Sequence, residues 1–226
     1  MTSPDRRQVR DLVYQTLAAE GRAPSVAELA RRTGTTPADV HHALHDLADA
    51  HALVLSDDGD AVRMAHPFSA APMAFVVTPQ DGRDDRRWWG GCAWDAFGIS
   101  AALRLDVRID TACPHCATQL SYRAGPGTPP PGDLAVRFPR PADRWWDDVV
   151  ATCTMIRTFC SRDHAELWTA EHASGEGYIA AATTVWELAT PWYGDRLDPQ
   201  FEPHDREKNQ QLLDGVGLTG PFWHLP

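Results

Sequence analysis

Apolar positions in the first part of the chain recur at helical spacing, broken by polar and glycine punctuation. Val9, Leu12, Val13, Leu17 and Ala18 form a stripe that predicts a helix over residues 5–20, ended by Gly21 and Pro24. Ser25, with Glu28 three positions on, reads as an N-cap and capping box. Val26, Leu29 and Ala30 supply that second helix's apolar face, and Gly34 closes it. Thr36 and Pro37 open a third helix with Val40, Leu44 and Leu47 as its buried stripe. Asp58-Gly59 then marks a hairpin turn. Three helices and a hairpin predict a winged helix-turn-helix-like module over residues 1–66.

After His66-Pro67 the pattern shortens. Residues 73–78, 103–109, 119–123, 134–138 and 152–159 read as strands, with 119–123 the hairpin partner of 103–109. Helices are expected over 144–150, over 163–171 with Ser161 as N-cap, and over 180–189. The polar run 80–87 reads as a loop or a helix approach, and AGPGTPPPGD as a loop. Beyond Pro191 the pattern is mixed and suggests loose packing. The fold class is α+β: the winged helix-turn-helix-like module over 1–66, then a mixed α+β catalytic domain over 67–226. Gly90-Gly91 lacks the rest of a phosphate-binding glycine fingerprint, which argues against nucleotide binding.

Composition narrows the function classes. The chain has 226 residues, 43% apolar and 23% charged, as expected of a globular protein with a core. Its net charge is −10, and residues 1–66 carry seven Arg and no Lys against ten Asp and Glu. The third helix offers His41, His42 and His45 but no Arg or Lys, so nucleic acid is a poor partner for this module. No apolar run reaches transmembrane length, and MTSPDRRQVR lacks a signal-peptide core, which predicts a cytoplasmic protein without membrane contact. The five cysteines, Cys92, Cys113, Cys116, Cys153 and Cys160, are odd in number. In a reducing compartment they point to free thiols, thiolate chemistry or soft-metal binding rather than a disulfide scaffold.

The candidate chemistry centres on WWGGCAWDAFGIS. A helix opening at Cys92 would set its sulfur near free N–H groups and the positive dipole end, favouring the thiolate. Asp95, three residues on, shares that helix face. A carboxyl among Trp88, Trp89, Trp94 and Phe97 keeps its proton readily and could act as a general acid. The spacing alone is equally met by a buried, inert cysteine. Cys113-Pro-His-Cys116 is half of a zinc site without a second CxxC, and reads as a zinc half-site, a redox pair or an inert turn, with His115 exposed rather than ligating.

Three segments together carry a resemblance: Cys92-Ala93-Trp94-Asp95, the run CTMIRTFCSRDHAELW from Cys153, and HPFSAAP at the end of the first module. In order and spacing the chain resembles the organomercurial lyases, or alkylmercury lyases, over roughly residues 5–190. The resemblance implies a winged-helix-like region before an α+β catalytic domain, with Cys92, Asp95 and Cys153 catalytic and in contact with mercury. It implies a structural Cys113, and a Cys153 that opens a strand. Cys116, the bulky Trp94 and the stretch after Tyr193 depart from the family pattern, and Cys160 falls where the family varies.

The reaction so implied is protonolysis of a carbon–mercury bond, with either Cys92 or Cys153 binding first. Mercury is substrate and product, and no organic cofactor is expected. The partners implied are an organomercurial small molecule and, as Hg(II) acceptor, cellular thiols or a mercuric reductase. Three other readings stand beside it: a metal-responsive winged-helix transcriptional regulator, a different Cys/Asp-dependent enzyme on the same scaffold, and a zinc-binding protein built around Cys113 and Cys116.

Overall fold

Capping chemistry sets the first three helices. In the computed structural model, which describes residues 5–82, 85–172 and 177–226, they are α1 (Arg6–Glu20), α2 (Val26–Thr33) and α3 (Pro37–Asp49). Ser25 accepts from the Glu28 N–H as expected, but the Glu28 carboxylate turns to Arg22 instead of closing a capping box. The reciprocal box forms one helix later, between Thr36 and Asp39. Gly21 and Gly34 end α1 and α2 in the left-handed conformation. Val9, Val13 and Leu17 of α1, and Val40 and Leu44 of α3, are buried in the same core.

The hairpin β1 (Val54–Leu55) and β2 (Val62–Ala65) continues into the main sheet rather than standing apart. With β3 (Phe68–Ser69), β4 (Phe75–Pro79), β5 (Trp88–Gly90), β6 (Val107–Ala112) and β7 (Gln119–Ala124) it makes seven antiparallel strands in the order β1-β2-β3-β5-β4-β6-β7. Trp88 ties β5 to the first helix: its indole N–H donates to the Leu17 and Ala18 carbonyls, each at 3.1 Å. The expected strand over 103–109 is displaced, because Leu103 ends helix α4 (Ala93–Leu103) and Arg104 turns the chain with φ 53°. Its hairpin with β7 forms as expected. The expected loop over 80–87 includes positions 83–84, outside the described residues.

Helix α4 is buried along nearly its whole length, from Ala93 to Ala102. A helix apolar on every side belongs in the middle of a core, and α4 lies between the main sheet and α7 (Ala182–Tyr193). A second, three-stranded antiparallel sheet pairs β8 (Ala135–Phe138) with β9 (Arg157–Phe159) and β10 (Tyr178–Ala181). Between its strands run a 3-10 turn (Ala142–Asp147), α5 (Val149–Met155) and α6 (Arg162–His172). The His164 N–H donates to Ser161 Oγ at the start of α6.

Two expectations fail in instructive ways. Residues 152–159 are not one strand: Cys153 lies on α5, and only Arg157–Phe159 is extended. The β-branched run favours a strand by propensity, but Asp148 caps the Ala151 N–H, and Thr152 Oγ1 donates back to the Asp148 and Trp145 carbonyls. Beyond Pro191 the chain is not loose. Pro191 falls in the last turn of α7, and the Gly194 N–H still reaches the Thr190 carbonyl at 2.9 Å. Helix α8 (Arg206–Gly215) follows, and a terminal 3-10 turn buries Trp223 among Phe138, Trp145 and Tyr178. Among the described residues no helix is long and apolar enough to cross a membrane. The fold is mixed helix and sheet.

Candidate active site

Cys92 is the N-cap of α4, and its Sγ accepts from the Asp95 N–H at 3.3 Å. This is the helix-start geometry expected of the CxxD spacing, and both residues are buried. Cys153 arrives from α5, with Sγ 3.9 Å from Asp95 Oδ2. Backbone pairing holds the two elements together, since the Ala93 N–H donates to the Ile156 carbonyl at 3.0 Å. Cys92, Asp95 and Cys153 line one cavity of about 360 Å³.

Two glycines permit this convergence. A Cβ on Gly91 would lie 2.7 Å from Asp95 Oδ2 and 2.2 Å from Met64 Cε. A Cβ on Gly98 would lie 2.4 Å from Tyr193 Cδ2. The bare Gly98 backbone lets α7 pack closely on α4, and the Tyr193 hydroxyl then donates to Asp95 Oδ1 at 2.8 Å.

His66, between β2 and β3, also lines the cavity. Its Nε2 lies 3.5 Å from Cys153 Sγ, and its own carbonyl accepts from the Tyr14 hydroxyl at 3.1 Å. Neither His66 nor Tyr193 was singled out as a site residue from the sequence. The only signals were the HPFSAAP segment for His66 and a nearby aromatic cluster for Tyr193. Both act across long chain separations that no local pattern encodes.

The electrostatics divide the two thiols. Burial would lower the His66 pKa, but the charges of Asp95 and Cys153 outweigh it and push His66 up to about 9. A hydrogen bond from Cys92 brings Cys153 down to about 7 against the cost of burial, and His66 assists. Cys92 moves the other way, well above the ordinary thiol value, through burial, its bond to Cys153 and the charge of Asp95. The helix start therefore does not make Cys92 the thiolate: the N–H bond helps, but burial and neighbouring anions win. Burial also raises Asp95, against the opposing pull of His66 and Tyr193.

Trp94, between Cys92 and Asp95 in the chain, is buried and forms cavity wall. Its ring meets Trp145 at 5.6 Å, Trp192 at 4.8 Å and Tyr193 at 5.6 Å between centroids. With Ile156 and Val149 these rings supply the apolar part of a mixed lining that also includes His51, His66, Asp95, Arg196, His204 and Asn209, and that apolar part suits an organic substituent. Cys113 and Cys116 lie at the β6–β7 turn and do not line the cavity.

A family model described as alkylmercury lyase (MerB) matches residues 68–194. Among solved structures the chain is similar to the mercury-bound form of MerB2, with a TM-score of 0.62 and 22% identity over 84% of this chain and 89% of that one. None of the curated proteins matches it. The structural likeness carries the fold, and the family match carries the chemistry. That match covers more than half of the chain and includes Cys92, Asp95, Cys153 and Tyr193, with His66 just ahead of it. The chain belongs to the alkylmercury lyase family, and the reaction it serves is cleavage of the carbon–mercury bond of organomercurials.

Proposed function

We propose that Cys153, Cys92 and Asp95 carry out the cleavage in a fixed order, with Cys153 the entering thiolate. The observation that carries this reading is the approach of Cys153 to Asp95 across 58 chain positions, at one cavity that both residues line. The Cys153 thiolate displaces R′S⁻ from R–Hg–SR′, forming a Cys153 S–Hg bond as the Hg–SR′ bond breaks, and so holds R–Hg. Cys92 then gives its proton to the Asp95 carboxylate and becomes the second sulfur ligand. Electron density from two thiolates makes the mercury-bound carbon more basic. Asp95 returns the proton to that carbon, and the electron pair of the Hg–C bond becomes the new C–H bond. Hydrocarbon leaves, and mercury, Hg(II) throughout, stays bridged between Cys92 and Cys153.

Asp95 is base and then acid in this sequence, so a carboxyl raised by burial but still held ionisable by His66 and Tyr193 suits both steps. His66 supports the first step by stabilising the Cys153 thiolate. Written this way the reaction uses no organic cofactor. Exchange with cellular thiols, or transfer to a mercuric reductase, would then clear Hg(II). A reducing cytoplasm fits, because turnover needs both cysteines as free thiols.

The first three helices and their hairpin, over residues 1–66, fit a winged helix-turn-helix-like module preceding a catalytic domain over 67–226. We assign this module to the pocket rather than to nucleic acid, since Tyr14, His51 and His66 all line the cavity. Purified protein incubated with phenylmercury or methylmercury and excess thiol is expected to release benzene or methane. Hydrocarbon no higher than in a Cys92→Ser control would overturn the assignment.

A further inference from the structure

The β6–β7 turn carries Cys113 and Cys116, and the β9–α6 junction carries Cys160 and His164. Chain order keeps these pairs apart, with Cys116 and Cys160 separated by 44 positions. The fold brings all four together: Cys113 Sγ, Cys116 Sγ, Cys160 Sγ and a His164 ring nitrogen lie within 4.8 Å of one another. We propose that these four residues form a structural Zn(II) site of the Cys3His type, separate from the catalytic cavity.

The distances suit a tetrahedron. Zn–S bonds of about 2.3 Å and a Zn–N bond of about 2.0 Å at tetrahedral angles place sulfurs about 3.8 Å apart, and sulfur and nitrogen about 3.5 Å apart. Cys116 Sγ and Cys160 Sγ are 3.7 Å apart, and Cys113 Sγ and His164 Nδ1 are 3.7 Å apart. All the cysteines are free thiols rather than disulfide partners. Three thiolates and an imidazole are a ligand set that zinc accepts in closed structural sites.

The surrounding backbone is arranged like a ligand turn. Ala117 adopts φ 58° directly after Cys116, and its N–H reaches the Cys113 carbonyl at 2.9 Å. The Cys113 N–H donates across the turn to the Thr118 carbonyl at 3.0 Å. His115 stays outside the four, with its ring 4.9 Å from that of His164.

The site also has a mechanical reason to exist. Cys113, Ala135, Phe159 and Ala165 form a small core of their own beneath the three-stranded sheet, apart from the main one. So few buried side chains supply little cohesion, and small cores of this kind are often stapled by a metal. Zinc would clamp the β6–β7 hairpin of the large sheet to β9 and α6 of the small one. Binding deprotonates the cysteine thiols that are not already ionised and releases those protons to solvent.

The test is elemental analysis of the full chain purified from zinc-supplemented medium, with about one zinc per chain expected. A Cys92→Ser, Cys153→Ser double variant should keep that zinc, which separates this site from the catalytic thiols. Cys160→Ser and His164→Ala should lose it, while His164→Cys should restore it. Replacement of the wild-type metal by Co(II) should give thiolate charge-transfer absorption and the d–d bands of a tetrahedral site, a readout that needs no variant. Metal-free protein that gives no such cobalt spectrum, a Cys116–Cys160 disulfide in place of metal, or zinc that leaves only with Cys92 and Cys153 would each overturn the proposal. None of these readouts depends on lyase turnover.

Discussion

The Tyr193 hydroxyl donates to Asp95 Oδ1 at 2.8 Å, across 98 positions of chain. It is a buried contact between the end of one helix and the start of another, and it favours the ionised form of the carboxyl that burial would otherwise neutralise. Tyr193→Phe removes the donor and little else. Asp95 should then rise further, so the acid-side limb of the kcat/KM profile moves to higher pH. A hydrogen bond to a charged group is worth about 1.5–3 kcal/mol, which puts the loss of turnover near neutral pH at about one to two orders of magnitude. Benzene release over a pH series checks this, and an unshifted limb would remove Tyr193 from the proton-transfer machinery.

Asp95→Asn separates mercury capture from bond cleavage. Cys92 and Cys153 still line the cavity, so the variant should bind R–Hg stoichiometrically by elemental mercury analysis. Hydrocarbon release should fall by about 10²–10⁴-fold, the usual contribution of a positioned proton donor. Retained turnover would show that water or another group delivers the proton.

The Cys153 thiolate is expected to titrate with a midpoint of about 7. A neighbouring cation favours the charged form of a thiol, so His66→Gln should move that midpoint upward. Alkylation by iodoacetamide, mapped to Cys153 by mass spectrometry across pH, reads it directly. Reactivity at neutral pH should drop in the variant, and the two profiles should meet at high pH, where both thiols are ionised.

Gly98→Ala places a methyl group 2.4 Å from Tyr193 Cδ2 and 2.8 Å from Pro67 Cβ. Neither contact can persist, so the α4–α7 interface must open. Overpacking of this kind costs about 1–3 kcal/mol, measurable by chemical denaturation. Displacement of the Tyr193 ring should also reproduce part of the Tyr193→Phe shift in the pH profile. A stable variant with an unchanged profile would show that α7 adjusts without moving the hydroxyl.

The sequence by itself determined what is local. The first three helices follow from stripe spacing and from Ser25, Thr36 and Pro37, because capping and periodicity act within a few residues. The β6–β7 hairpin was legible for the same reason. Cys92 and Asp95 were visible as a pair because one helical turn places them together. Cys153 is singled out only by the resemblance to a family, and β propensity predicts a strand where the Asp148 cap makes a helix. Only the tertiary structure decided which thiol is the more acidic, since burial and the positions of His66 and Asp95 reverse the advantage a helix start gives Cys92. It alone brought Tyr193 and His66 to the pocket, and Cys160 and His164 to Cys113 and Cys116. Such contacts join positions tens of residues apart, and their free energy comes from packing that no short window of sequence contains.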